Sequence, residues 1–130
     1  MNRELTLTKA PIVEPECVAS RLASPESGAC VWFLGSVRGT EEGCAIRGIH
    51  YEAYEAMARH QFQRIFDEIE ARWPIQSIRL VHRLGPVMAG EPSIWVEVAS
   101  PHRAEGFAAC EFLISEMKQR VPIWKQPIPL

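Results

Sequence analysis

Apolar residues recur at helical spacing in two long segments of the chain. In the first, steps of mainly three and four positions predict an amphipathic helix that ends at Pro74. In the second, the same spacing predicts a helix from Arg103 to about Arg120, which Pro122 ends. A shorter helix is predicted from Pro15 to Ala23, since proline suits a first helical turn. The apolar positions of the two long helices are Ala58, Phe62, Ile65, Phe66, Ile69 and Trp73, and then Phe107, Cys110, Ile114, Met117 and Val121.

Strand patterns lie between these helices. The segment Ala29–Val37 is almost continuously apolar, which predicts a central strand, and Ile94–Ala99 alternates as a strand does. Polar and glycine-rich residues predict a loop at Arg38–Gly43, and Leu84–Pro86 is predicted to break the chain. The remaining predicted strands are Leu5–Thr8, Ile46–Tyr54 and Ile75–Arg83.

The order of elements favours one class of fold. It is β-α-β-β-α-β-β-α, which indicates an α+β or mixed α/β protein with helices packed against a sheet. The sequence shows no repeat, low-complexity segment or linker, so residues 1–130 are predicted to form a single domain.

Composition narrows the classes of protein further. With 130 residues, 47% of them hydrophobic and 23% charged, the chain has the size and balance of a soluble globular domain. The net charge of -2 gives no reason to expect nucleic acid or an anionic membrane as a partner. No apolar run is long enough for a membrane span and no signal-peptide pattern opens the chain, so we expect a cytoplasmic protein. The cysteines and histidines lack zinc-site spacing, and we expect neither a metal ion nor another cofactor.

Three strand or helix ends carry candidate chemistry. Arg38 follows the predicted strand end Gly35-Ser36-Val37, and His82 stands at the end of another strand. Ser100-Pro101-His102-Arg103 opens the last helix, where unpaired N–H groups and the helix dipole favour anions. Each place also has a structural interpretation: a turn with an exposed arginine, a purely structural histidine, and a serine that caps the helix.

The lysines are distributed unevenly. The chain has three lysines and eleven arginines, and two of the lysines, Lys118 and Lys125, flank the segment Val121-Pro122-Ile123-Trp124. Lysine can lose its proton when buried, so it can transfer protons or react covalently where arginine cannot. We expect Pro122 and a buried Trp124 to hold both amines in place, although two ordinary surface lysines would give the same pattern.

Taken in order, these motifs resemble those of the large, catalytic subunit of molybdopterin synthase. The resemblance covers roughly residues 35 to 125. Its motifs are Gly35-Ser36-Val37-Arg38, Tyr51-Glu52-Ala53-Tyr54 with Met57-Ala58, His82-Arg83-Leu84-Gly85 with Gly90-Glu91, Ser100-Pro101-His102-Arg103 with Phe107-Ala108-Ala109-Cys110, and Lys118-Gln119-Arg120-Val121-Pro122-Ile123-Trp124-Lys125.

The resemblance implies a fold, a reaction and a partner. The family fold is an α/β hammerhead with an added antiparallel β-subdomain. The family converts cyclic pyranopterin monophosphate (precursor Z) into molybdopterin by installing two dithiolene sulfurs. The sulfur comes from a small ubiquitin-like subunit whose C-terminal Gly-Gly carries a thiocarboxylate. Two large subunits form a homodimer at the core of a heterotetramer, and one small subunit binds at each end.

The resemblance also implies roles for particular residues. Lys118 matches the main catalytic lysine and Lys125 the second active-site lysine, and both would contact the substrate. Arg38 would contact the pterin, and Ser36 and Val37 of the same motif would also bind the substrate. The remaining matches are His102 and Arg103, which would hold the anionic part of the substrate.

The chain departs from the family pattern near its end. The family usually has a basic residue and a glutamate after the second lysine and then a longer tail, whereas this sequence reads Gln126-Pro127 and stops at Leu130. An alternative hypothesis is therefore a catalytically weak binding module for the ubiquitin-like sulfur carrier. A phosphate-ligand hydrolase that uses His102 as a base is a more remote alternative, since no nucleophile motif accompanies it.

Overall fold

A computed structural model describes residues 1–21 and 24–130. It contains three helices and eight strands within those residues, in two sheets. The elements are β1 (Asn2–Thr8), α1 (Glu14–Ala19), β2 (Ala29–Ser36), β3 (Thr40–Glu41), β4 (Cys44–Ala53), α2 (Glu55–Arg72), β5 (Ser77–Arg83), β6 (Gly85–Met88), β7 (Pro92–Ser100), α3 (Arg103–Arg120) and β8 (Ile123–Pro129). The mixed α+β fold predicted from the sequence is confirmed.

The larger sheet has the strand order β1-β5-β7-β2. Only the β1–β5 pair is parallel; β5–β7 and β7–β2 are antiparallel. Both α2 and α3 pack on one face of this sheet, because most positions of their apolar stripes face it. Phe107, predicted to belong to the stripe of α3, is instead 60% exposed. The side chains that fill this core include Phe62, Phe66, Ile78, Val96 and Leu113, all with essentially no exposed surface.

The opposite face of the larger sheet is held by a buried ion pair. Glu97 on β7 is paired with Arg79 on β5, and the Arg79 guanidinium also donates to the Cys17 carbonyl at 2.6 Å and to the Ser20 hydroxyl at 3.0 Å. A buried carboxylate needs a cation beside it, which explains the pairing of Glu97 with Arg79. The two further bonds of Arg79 tie the short helix α1 to the sheet.

The smaller sheet is antiparallel and is built around β4. Its path is β3-β4-β6, and β8 also pairs with β4. A separate small core lies beneath it, formed by Val37, Ile46, Ile49 and Val87. This sheet corresponds to the antiparallel subdomain that the resemblance implied.

Three of the strands were not predicted, and one prediction about a strand was wrong. β3 lies inside the predicted loop Arg38–Gly43, β6 begins where a break was predicted, and β8 follows the predicted final helix. Ala29–Val37 was predicted to be central, yet β2 is an edge strand of its sheet. Its apolar residues are half covered instead, with Trp32 stacked on Trp95 at 5.8 Å between ring centroids.

The predicted helix Pro15–Ala23 is shorter in the structure, where α1 ends at Ala19 and Ser20 follows as its cap. The last two positions of that prediction, 22 and 23, lie outside the described residues. None of the described helices has the length and apolar character needed to cross a membrane.

Candidate active site

A cavity of about 690 Å³ lies between the two sheets and the C-terminal end of α3. Residues from β2, β4, β7, α3 and β8 contribute to its wall. Its volume is in the range of small-molecule sites, and its lining mixes apolar side chains with a few charged ones.

The strand end Gly35-Ser36-Val37-Arg38 forms one side of this cavity. Val37 is buried, and its backbone is fixed at both ends: its N–H donates to the Glu91 carbonyl at 3.0 Å and its carbonyl accepts from Gly90 at 2.8 Å. Arg38 therefore starts from a rigid backbone and its side chain remains exposed. A Cβ atom at Gly35 would come within 2.6 Å of the Ile94 side chain, so glycine allows the backbone to pack closely against Ile94 in this part of the wall.

Both predicted lysines line the same cavity, although they come from different elements. Lys118 lies in the last turn of α3, directly after the buried Met117, where a cation also suits the helix dipole. Lys125 lies in β8, opposite Tyr51 of β4. Its Nζ is 3.1 Å from Oε1 of Glu41.

Lys125 is held differently from the sequence-based prediction. Trp124 does not anchor a turn by burial, because 59% of its surface is exposed. Pairing between β8 and β4 fixes the segment instead, with Ile123 opposite Ala53 and Trp124 opposite Glu52. Side chains alternate along a strand, so Lys125 and Trp124 point to opposite faces of the sheet.

A buried histidine completes another part of the wall. His82 is 5% exposed, and its ring forms a T-shaped pair with that of Tyr51, with centroids 5.2 Å apart. Nδ1 lies 2.8 Å from the carbonyl of Arg83; a carbonyl only accepts, so Nδ1 carries the proton and Nε2 is left as an acceptor. Burial lowers the pKa of His82 below its usual range, so the ring is uncharged at neutral pH.

His102 and Arg103 do not join this cavity. They open α3, whereas Lys118 lies near its other end, about 22 Å away by the rise of a helix. Ser100 does not cap the helix, because its hydroxyl donates to the His102 carbonyl at 2.7 Å and His102 occupies the cap position without a side-chain cap bond. Both side chains are exposed, and His102 lies 3.8 Å from Glu105.

His82, a candidate from the sequence, also lines the cavity, and the lining residues that were missed as site residues include Phe33, Glu41 and Tyr51. His82 and Tyr51 do occur in the motifs that carried the resemblance, and that was the available signal. Glu41 had none, because its position depends on a short hairpin within a predicted loop.

Comparison with known proteins identifies the family. The model of the MoaE protein family matches residues 7–120. The molybdopterin synthase catalytic subunit of Thermoplasma volcanium is 37% identical over 128 residues, covering 98% of this chain and 93% of that protein. The molybdopterin synthase catalytic subunit of Arabidopsis thaliana is 42% identical over 107 residues; these cover 82% of this chain and 54% of that protein, so the chain spans about half of its length.

Solved structures agree with this assignment. Molybdopterin synthase from Staphylococcus aureus superposes with a TM-score of 0.85 at 34% identity, over 98% of this chain and 90% of that one. A complex of subunits 1 and 2 of molybdopterin-converting factor from Helicobacter pylori superposes with a TM-score of 0.72 over 98% of this chain and 88% of that one, and its 21% identity shows a shared fold alone. The chain therefore belongs to the MoaE protein family, the family of the molybdopterin synthase catalytic subunits.

Proposed function

We propose that this chain is the catalytic subunit of a molybdopterin synthase. It transfers sulfur from the C-terminal thiocarboxylate of a small ubiquitin-like subunit to cyclic pyranopterin monophosphate, forming the dithiolene of molybdopterin. The observation that carries the proposal is the convergence of Arg38, Lys118 and Lys125 on one cavity, although they are far apart in the sequence.

The charge of the cavity suits these reactants. Arg38, Lys118 and Lys125 line it, and among the described lining residues the one carboxylate is that of Glu41. Both the phosphate of the pterin and the thiocarboxylate are anions, which cations in a partly enclosed site attract strongly. The rings of Phe33 and Tyr51 add flat apolar surface against which a pterin ring can stack.

Lys118 is the principal catalytic residue of the proposal. The thiocarboxylate sulfur attacks a carbon of the substrate and displaces oxygen from it, and water then hydrolyses the resulting thioester, so the sulfur stays on the pterin and the tail leaves as an ordinary carboxylate. Negative charge develops on the departing oxygen, and an ammonium group beside that charge lowers the barrier. The same group can deliver or accept a proton as the product forms. Lys125, from β8, supplies a second cation in the lining of the cavity.

The partner is a small subunit whose tail reaches Lys118. An extended C-terminal tail fits a cavity that opens at the surface between two sheets and a helix end. The Helicobacter pylori relative occurs in a complex of subunits 1 and 2. No further cofactor is required, since the sulfur arrives with the partner.

His102 and Arg103 require a second copy of the chain in this proposal. Within one chain they lie at the far end of α3 from Lys118. They can hold the anionic part of the substrate in this cavity only if a homodimer brings the start of α3 from its partner to the cavity mouth. Each active site of the heterotetramer then contains residues of two large subunits.

The test is conversion of cyclic pyranopterin monophosphate to molybdopterin by the purified protein with a thiocarboxylated small subunit. We expect product in proportion to the thiocarboxylate supplied, with two sulfurs consumed for each pterin. Tight binding of the small subunit without product would contradict the proposal and support a binding module. A small subunit with an ordinary carboxylate is the control and should give no product.

A further inference from the structure

The two lysines of the cavity have different surroundings. Lys125 Nζ lies 3.1 Å from Glu41 Oε1, whereas no carboxylate of residues 1–21 or 24–130 is within ion-pair distance of Lys118. Glu41 and both lysines line the cavity. Glu41 is therefore the only acidic side chain in the described lining, and it contacts one lysine rather than the other.

A tight hairpin presents Glu41 to the cavity. Thr40 and Glu41 pair with Ala45 and Cys44, and the two residues between the strands have positive φ, +50° at Glu42 and +81° at Gly43. Positive φ at both central positions is the mark of a type I′ turn, whose twist matches that of the strands. The hairpin therefore fixes the backbone of Glu41 directly before the turn.

The ion pair connects two distant parts of β4. Lys125 is opposite Tyr51 near the end of β4, whereas Glu41 is opposite Cys44 at its beginning. A flat strand rises about 3.3 Å for each residue. Over the stretch of β4 from Cys44 to Tyr51, that rise would add up to a separation too large for a lysine and a glutamate to span. The pairing register shifts between Ile46 and Gly48, and such an irregularity bends a strand and brings its ends closer together.

We propose that Glu41 is a positioning residue for sulfur transfer, whose carboxylate holds the Lys125 ammonium against the cavity wall. This role rests on the proposed function. A lysine side chain has several freely rotating bonds, and one fixed partner removes much of that freedom before the substrate binds. The side chain of Lys125 is 55% exposed, so the pair contributes little to stability and its effect lies in orientation.

The neighbouring glutamate offers a matched control. Glu42 is exposed and forms no ion pair with any described residue, so Glu42→Gln makes the same change in charge one position away. We expect Glu41→Gln to lower kcat by about 10- to 100-fold, with an unchanged melting temperature and unchanged affinity for the small subunit. We expect Glu42→Gln to stay within about twofold of the wild type, and Glu41→Asp to recover part of the lost kcat.

A second measurement does not depend on activity. With only three lysines, the ε-methylene protons of Lys125 can be assigned by NMR, and an ordered side chain gives them two separate shifts. Glu41→Gln should merge these shifts, and Glu42→Gln should keep them apart. Equal kcat values in the two variants would overturn the positioning role, and so would merged shifts in the wild type. If the wild-type protein makes no product, the proposed function fails, and the NMR comparison still decides whether Glu41 orders Lys125.

Discussion

His82 and Lys118 bring opposite kinds of group to one cavity. Lys118 offers an exposed ammonium in the last turn of a helix. His82 offers a buried ring that is uncharged at neutral pH, because burial lowers its pKa. The Nε2 acceptor of such a ring can accept a hydrogen bond from a bound ligand without repelling the neighbouring cations.

We predict that His82 makes the protein less stable in mild acid. The folded pKa lies below the unfolded value of about 6.5, so the unfolded chain binds a proton that the folded chain does not. The stabilisation is complete above about pH 6.5 and is lost as the pH falls through the folded pKa, with a slope of at most about 1.4 kcal/mol per pH unit.

Urea unfolding of wild type and His82→Gln between pH 7.5 and about pH 5 measures this effect. The variant should be less stable at pH 7.5 but should show a flatter dependence on pH. His60→Gln, which removes an exposed imidazole on α2, should keep the wild-type slope. If the free energy of unfolding of wild type and His82→Gln changed with pH in parallel, His82 would not be the source of the lower stability in mild acid.

Some site residues could be predicted from the sequence and others could not. Arg38, Lys118 and Lys125 stand in short motifs whose order along the chain could be recognised, and all three line the cavity. Glu41 could not be predicted, because its contact with Lys125 depends on strand pairing and on the bend of β4. His102 and Arg103 remain predictions as site residues, since one chain alone does not bring them to the cavity.

At the scale of elements, periodicity predicted the helices well and the small sheet poorly. The stripes of α2 and α3 repeat over many turns, so both were predicted nearly to their ends. β6 and β8 contain Pro86, Pro127 and Pro129, which predict breaks rather than strands. Proline is tolerated there because, within the part of the chain that the structure describes, both strands pair only with β4, so their other edges need no N–H donors.

The contact of β4 with β6 gives a prediction at the same scale. A Cβ atom at Gly48 would overlap the Val87 carbonyl oxygen and lie 2.8 Å from Met88 Cα, and backbone atoms cannot move aside as side chains can. Gly48→Ala should therefore lower the free energy of unfolding by about 1–3 kcal/mol. At Gly39 the nearest atom to an added Cβ is 4.0 Å away, so Gly39→Ala is the control and should change stability little. Equal denaturation midpoints for the two variants would mean that the strands are not packed this closely.

At the scale of the whole molecule, the candidate residues lie at both ends of α3. Lys118 is in the cavity, and Arg103 opens the helix at the other end. If each site combines these residues from two chains, Lys118→Ala and Arg103→Ala damage different halves of one site. The two inactive variants should then complement each other when mixed.

The expected recovery is about a quarter of wild-type activity, because half of randomly mixed dimers contain both variants and each of those has one intact site. The measurement is product formation after the variants are mixed, dissociated and reassociated. Each variant reassociated with itself is the control. Recovery no greater than the average of the two variants alone would place Arg103 outside the site of the neighbouring chain.

Sulfur transfer in the cavity through Lys118 can be tested by comparing three forms of the protein. Wild type, Lys118→Ala and Lys9→Ala are each given a thiocarboxylated small subunit and cyclic pyranopterin monophosphate, and molybdopterin is measured over time. Lys9 is exposed and lies outside the cavity lining, so its variant removes the same charge elsewhere. Wild type and Lys9→Ala should form product at similar rates. The rate of product formation by Lys118→Ala should be at least about 100-fold lower, with an unchanged melting temperature. Product at the wild-type rate from Lys118→Ala would contradict the account.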